Sequence, residues 1–201
     1  MADPKRAGVT AAHSVVSFVF TVPDLAEAQR FYDSFGLDVR VFEDHLDLYT
    51  VGHTHRWGQV FANGKAKQLC YLSLGVYAED LEPLRDAVLK QGIALVDRHP
   101  LGSADGFWMC DPEGVHVQVL VADKVTPNAR AEALGFRTKQ NPIGVPIGPM
   151  RRDTRLVRPS RLSHILLFTS DVDRSLDFYC GALGLRLSDR AGDGIAFTHG
   201  A

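Results

Sequence analysis

The chain writes one strand–helix unit twice. SFVFTVPDLAEAQRFYDSFGLDVRV, residues 17–41, and HILLFTSDVDRSLDFYCGALGLRL, residues 164–187, align without a gap from the opening strand through the helix. The offset is a constant 147: Ser17 falls on His164, Asp24 on Asp171, and Phe31-Tyr32 on Phe178-Tyr179. The later copy then carries one extra residue before Gly184-Leu185, the counterpart of Gly36-Leu37. A repeat at this spacing implies duplicated modules that pack together.

Each element of the unit has its own physical support. Phe18, Phe20 and Val22 alternate with Ser17, Val19 and Thr21, so the opening strand has a greasy face and a smaller, more polar one. Asp24 is placed to cap a helix, with Glu27 three residues on as a capping-box partner. Leu25, Ala28, Phe31, Tyr32 and Phe35 follow helical spacing, and Gly36 ends the run. In the later copy Asp171 is the cap, and Val172, Leu176, Tyr179 and Leu183 form the apolar stripe.

Between the copies the pattern recurs more loosely. Residues 69–77, LCYLSLGVY, read as a strand, and residues 78–92, AEDLEPLRDAVLKQG, as a helix with Pro83 in its first turn. Strands are expected at 93–97, 106–110 and 115–122, the last two joined by the turn Asp111-Pro112-Glu113-Gly114, a hairpin signal. Residues 13–123 then hold two βαβββ-like units. Thr126-Pro127 predicts a short helix ended by Gly135, and residues 138–160 read as a linker within a connecting stretch of 124–160. A second module is expected to begin at Arg161 and to break off, incomplete, at Ala201. Its start, 161–201, reads as one strand–helix–strand–strand unit.

Composition limits the function classes. With 45% hydrophobic and 23% charged residues the 201-residue chain is ordinary for a globular protein, and a net charge of −2 gives no strong field for nucleic acid or an acidic membrane. The linker arginines 151, 152, 155, 158 and 161 lack interleaved stacking aromatics, which favours a solvated connector over a nucleic-acid site. Cys70, Cys110 and Cys180 are odd in number and far apart, which points to a reducing compartment and small core side chains. No charged-then-apolar leader opens the sequence and no apolar run is long enough to span a bilayer, so a cytoplasmic location is expected, without membrane or nucleic-acid partners. No phosphate-cradling glycine loop appears, and Gly102-Ser103 makes no nucleophile elbow.

The lines HILLFTSDVDRSLDFYCGALGLRL and GFWMCDPEGVHVQVL resemble the vicinal-oxygen-chelate superfamily of glyoxalases, bleomycin-resistance proteins and dioxygenases. The order of two modules joined by a linker ending RPSRLSHILL is similar to the two-domain type I extradiol dioxygenases. The resemblance implies an α+β fold of paired βαβββ modules, with curved mixed sheets and helices on the outer face. It also implies that the C-terminal module holds the metal while the N-terminal one is metal-free.

Position by position, the resemblance puts the first module's ligand places at Ser17, at or near Tyr71, and at Gln118. A hydroxyl, a phenol and an amide are poor ligands for divalent iron, which prefers imidazole and carboxylate. The corresponding opening place in the second module is His164, a group with a lone pair for a metal. A hydrogen-bonded core or rim histidine is the plain alternative. His199 is tempting as a second ligand, but the resemblance places it on the strand before the family's acid–base histidine. The remaining ligands and that histidine are expected beyond Ala201. His53-Thr54-His55 would put two imidazoles on one face of a strand, but no third group follows at a fitting spacing, which favours a loop or rim role, and His13, His45, His99 and His116 are isolated.

The function that the resemblance implies is extradiol ring cleavage of a catechol-type diol by O2 at a mononuclear Fe(II), with Mn(II) as the other candidate metal, in a homo-oligomer. Two rival readings remain open. One is a metal-free module that sequesters a small aromatic molecule, with Trp57, Phe107 and Trp108 as pocket walls or, more simply, as core. The other is a metal-dependent lyase or isomerase of the same superfamily.

Overall fold

The computed structural model describes residues 8–125, 158–162 and 164–200. Seven strands form one mixed sheet: β1 (Ser14–Val22), β2 (Asp38–Val41), β3 (His45–Tyr49), β4 (Arg56–Ala62), β5 (Gln68–Val76), β6 (Phe107–Cys110) and β7 (His116–Val121). Their order across the sheet is β2-β3-β4-β1-β5-β7-β6. β1 and β5 lie antiparallel at the centre, and each is flanked in parallel by the last strand of its own unit, β4 and β7. The expected α+β architecture of paired units on one curved sheet is the one observed.

Local chemistry fixes the helices. In α1 (Leu25–Phe35) the Asp24 carboxylate accepts from the N–H groups of Ala26 and Glu27 at 2.7 and 3.1 Å, meeting two of the four orphan donors of the first turn. Gly36 stops the helix at φ 94°, a left-handed value that a side chain would oppose. α2 (Leu81–Lys90) follows a short 3₁₀ turn (Ala78–Asp80) and seats Leu84 and Val88 in the core.

Alternation sorts the two sheet faces. Leu72, Leu74, Val76, Val117 and Val119 are buried, and four of them join Leu84 and Val88 in one cluster under α2. Val22, Leu46, Leu48 and Val60 form the matching cluster under α1. The intervening residues, Ser17, Tyr71, Ser73 and Gln118, point to the opposite face, as the period of two requires.

Several expectations are corrected. On α1 only Leu25, Ala28 and Tyr32 reach the core; Phe31 and Phe35 are exposed and stack on each other, because a helix on one sheet face buries a single narrow stripe. The strand expected at 93–97 is reduced to one bridge, Leu95 to Met109. His53 and His55, by contrast, lie in the loop before β4, the role favoured for them over a metal site. The expected helix from Thr126 and most of the linker lie outside the described residues.

The later copy differs from the earlier in two ways. Residues 164–169, expected as a strand, sit in no described ladder. The helix α3 (Val172–Leu176), capped by Asp171 on the Arg174 N–H at 3.0 Å, runs on as a π-helical segment (Asp177–Ala182). There the Leu183 N–H reaches back five residues to the Phe178 carbonyl, whereas the Gly36 N–H reaches back four to Tyr32. A π turn is what an inserted residue makes of a helix, so the extra residue of the later copy is absorbed here. Phe178, Ala182 and Leu183 then join the core beside α2, and a two-stranded ribbon follows, β8 (Arg186–Ala191) with β9 (Ile195–His199).

Candidate functional site

A cavity of about 520 Å³ opens on the sheet face opposite α1 and α2. Ser17, Tyr71 and Gln118, the three places assigned to the first module, all line it. Strand register brings them together. Ser17 pairs with Ser73 across β1 and β5, Ser73 pairs with Gln118 across β5 and β7, and Tyr71 is two residues from Ser73 on the same face.

Two of these side chains, Tyr71 and Gln118, are occupied in holding a loop. Gln118 is buried, and its amide donates to Ser103 Oγ and to the Asp105 carbonyl, both at 2.9 Å, while its Oε1 accepts from Ser73 Oγ at 2.9 Å. The Tyr71 hydroxyl donates to the Leu101 carbonyl at 3.1 Å, and Trp108 Nε1 donates to the Ser103 carbonyl at 3.2 Å. Residues 101–105 are thereby laid over one side of the cavity. Nothing in the alternation of the strands announces this loop, whose register is set by side chains distant in sequence.

At the other side Asp47 is buried and collects three donors: Gln59 Nε2 at 2.9 Å, Tyr49 Oη at 3.4 Å and Arg56 Nη1 at 3.5 Å. Arg56 and His55 also line the cavity, and His55 Nε2 bonds to the Val16 carbonyl at 2.8 Å. Burial, then the neighbouring His116, holds the His99 imidazole below its ordinary pKa. Trp57, Phe107 and Trp108 are core side chains and do not line the cavity.

In the later copy His164 is exposed, as are Leu166 and Phe168, while Ile165 and Leu167 between them are partly covered. His199 is engaged at both ring nitrogens, Nε2 with the Arg186 guanidinium and Nδ1 with the Ser188 hydroxyl, which leaves no lone pair free for a metal. Among the described residues no group of three or more His, Cys, Asp or Glu side chains is gathered as a metal site requires. His13 is buried, bonded to Ser14 Oγ and to the Ala122 carbonyl, and His45 is sandwiched between Phe42 and Phe61. The three cysteines are free, and burial pushes each thiol pKa up, as expected of packing residues rather than nucleophiles. No described helix is long and apolar enough to cross a membrane.

The strand order and the two helix-backed units define the class: a protein of two βαβββ-like units, the second with its middle strand reduced to a bridge, and a cavity on the open face of its sheet. Residues 161–201 match the Glyoxalase/Bleomycin resistance protein/Dioxygenase superfamily. The chain is 41% identical over 189 residues to metapyrocatechase 2 of Cupriavidus necator, an alignment covering 94% of this chain and 58% of that protein. The chain thus spans little more than half the length of this curated relative. Among solved structures it is similar to BphC, a halotolerant catechol dioxygenase, with a TM-score of 0.65 at 20% identity over 95% of this chain and 62% of that one. It is also similar to a Mn(II)-bound glyoxalase from Novosphingobium aromaticivorans, with a TM-score of 0.64 at 18% identity over 95% and 59% of the two chains. At these identities the two structures bear on fold.

Proposed function

We propose that the protein is an extradiol ring-cleaving dioxygenase acting on a catechol-type diol with O2, with its metal in the C-terminal module and none in the N-terminal one. The single observation that carries the reading is the 41% identity, over nearly the whole chain, to a protein named metapyrocatechase. The internal repeat supports the division of labour. The earlier copy has Ser17 where the later has His164, and the neighbouring polar places of the earlier module, Tyr71 and Gln118, are committed to the loop 101–105.

Iron(II) is the proposed ion, with manganese(II) as the other candidate. Such a metal, when bound, acidifies a chelated hydroxyl and brings both reactants together. The described residues do not by themselves fit it: one imidazole falls short of the three facing ligands that a two-histidine, one-carboxylate site uses. His164 is assigned to donate one neutral imidazole nitrogen to the metal. A cytoplasmic location and a homo-oligomeric assembly belong to the same proposal, the first supported by the three free cysteines.

The test is oxygen uptake by full-length protein given ferrous iron and simple catechols, with iron content measured on the same sample. Uptake together with its loss, and loss of iron, in His164→Ala supports the reading. A folded, iron-loaded protein that consumes no oxygen with any catechol removes it.

A further inference from the structure

The cavity of the first module has free hydrogen-bonding capacity that its loop-holding network does not use. Arg56 spends one N–H on a 3.5 Å contact to Asp47, and its other N–H groups meet no partner among the described residues. Its side chain is half-exposed at the cavity wall. The Ser17 hydroxyl and His55 Nδ1 likewise have no partner among the described residues, and both residues line the same space. A guanidinium and a hydroxyl lining one cavity can together receive a carboxylate, since the planar fork of arginine matches the two oxygens.

The rest of the lining is apolar or aromatic. Val16 and Leu120 come from the sheet, Leu101 from the loop, and Tyr49 and Tyr71 complete the wall. A flat ring meets such walls without losing the rotamer freedom that a flexible chain would give up. Two carboxylates bear on the sign of the ligand. Asp47 is already held by Arg56, Gln59 and Tyr49. Asp105 lies on the exposed part of the loop, where solvent screens it.

We propose that this cavity binds a small aromatic carboxylate without a metal, with Arg56 and Ser17 taking the carboxylate and Val16, Leu101 and Leu120 taking the ring. The site is separate from His164 and does not depend on the ring-cleavage reading.

The experiment is titration of EDTA-treated full-length protein with benzoate, followed by calorimetry and by amide chemical shifts, with benzamide as the uncharged control. The expected result is saturable binding at benzoate concentrations up to about 10 mM, at least tenfold weaker for benzamide and for Arg56→Gln. Arg56 also contacts Asp47, so Ser17→Leu provides a second variant; it fills the cavity from β1, leaves Asp47 alone, and should abolish binding. No saturable binding, equal binding of benzamide, or unchanged binding in the folded variants overturns the proposal. Oxygen uptake plays no part in this assay, so its outcome is separable from that of the dioxygenase reading.

Discussion

The Tyr179 hydroxyl donates to Asp111 Oδ2 at 3.0 Å, across 68 positions of sequence. Asp111 opens the turn between β6 and β7, and its other oxygen accepts from the N–H groups of Glu113 and Val115 at 2.9 and 2.8 Å. One carboxylate therefore closes a hairpin of the first module and ties down the helix of the later copy. Glu113 adds a second tie, accepting from the Ser170 N–H and from the Thr169 and Ser170 hydroxyls just before α3.

Tyr179→Phe should cost about 1.5 kcal/mol, the scale of a hydrogen bond to a charged group. Urea unfolding at neutral pH reads this directly, and an unchanged midpoint would show the contact to be worth nothing. The same variant has a pH signature. Burial, then the adjacent Asp111 charge, raises the Tyr179 pKa well above the ordinary phenol range. A raised acid contributes stability that is complete below the unfolded value, about 10, and is lost as pH rises beyond it. Wild type should lose stability above about pH 10 more steeply than Tyr179→Phe.

His13 predicts the opposite limb. Burial lowers its pKa most; Lys124 adds to that, while the bond to the Ala122 carbonyl and the Asp80 charge work against it. A histidine with a depressed folded value contributes fully above the unfolded value, about 6.5, and loses that contribution as pH falls. His13→Gln should flatten the decline in stability between about pH 6.5 and 5, as read from unfolding midpoints over that range.

Gln118→Ala should release the loop 101–105. Two donated bonds disappear and the Ser73 hydroxyl loses its acceptor, a loss of about 1–3 kcal/mol. Faster amide hydrogen exchange at Asp105 and earlier proteolytic cleavage in the loop are the expected readouts. Exchange unchanged from wild type would mean that Tyr71 and Trp108 hold the loop without the amide.

Gly106→Ala should be among the most damaging single changes. The residue has φ +67°, and an added Cβ would stand 1.8 Å from the Val119 carbonyl oxygen. Backbone must move, because the obstacle is not a flexible side chain. A loss of about 3 kcal/mol or more is expected in thermal or urea unfolding.

Much of this fold is legible in the sequence because its signals are local. The alternation from Ser17 to Val22, the caps Asp24 and Asp171, and the turn 111–114 each act within a few residues, and the structure shows each of them. The burial of Phe178 against the exposure of its counterpart Phe31 is not local, since it depends on which element packs alongside. The convergence of Ser17, Tyr71 and Gln118 follows from the repeat and the resemblance, but the commitment of Tyr71 and Gln118 to residues 101–105 does not. That loop has no periodicity, and its position is set by the partners it finds. His164 is legible as a counterpart of Ser17; the metal role given to it rests on the family, because one exposed imidazole on an unpaired segment carries no geometry of its own.

The π segment at 177–182 makes the two copies non-interchangeable beyond their first turns. One additional residue in a helix advances everything downstream by about 100° of azimuth. A chimera carrying the plain helix of the earlier copy in the later position would deliver Leu183, Gly184 and β8 out of phase with the surface that receives them. Divergence of the duplicates therefore includes a mechanical offset, fixed in the backbone, that re-aims the later half whichever side chains it bears.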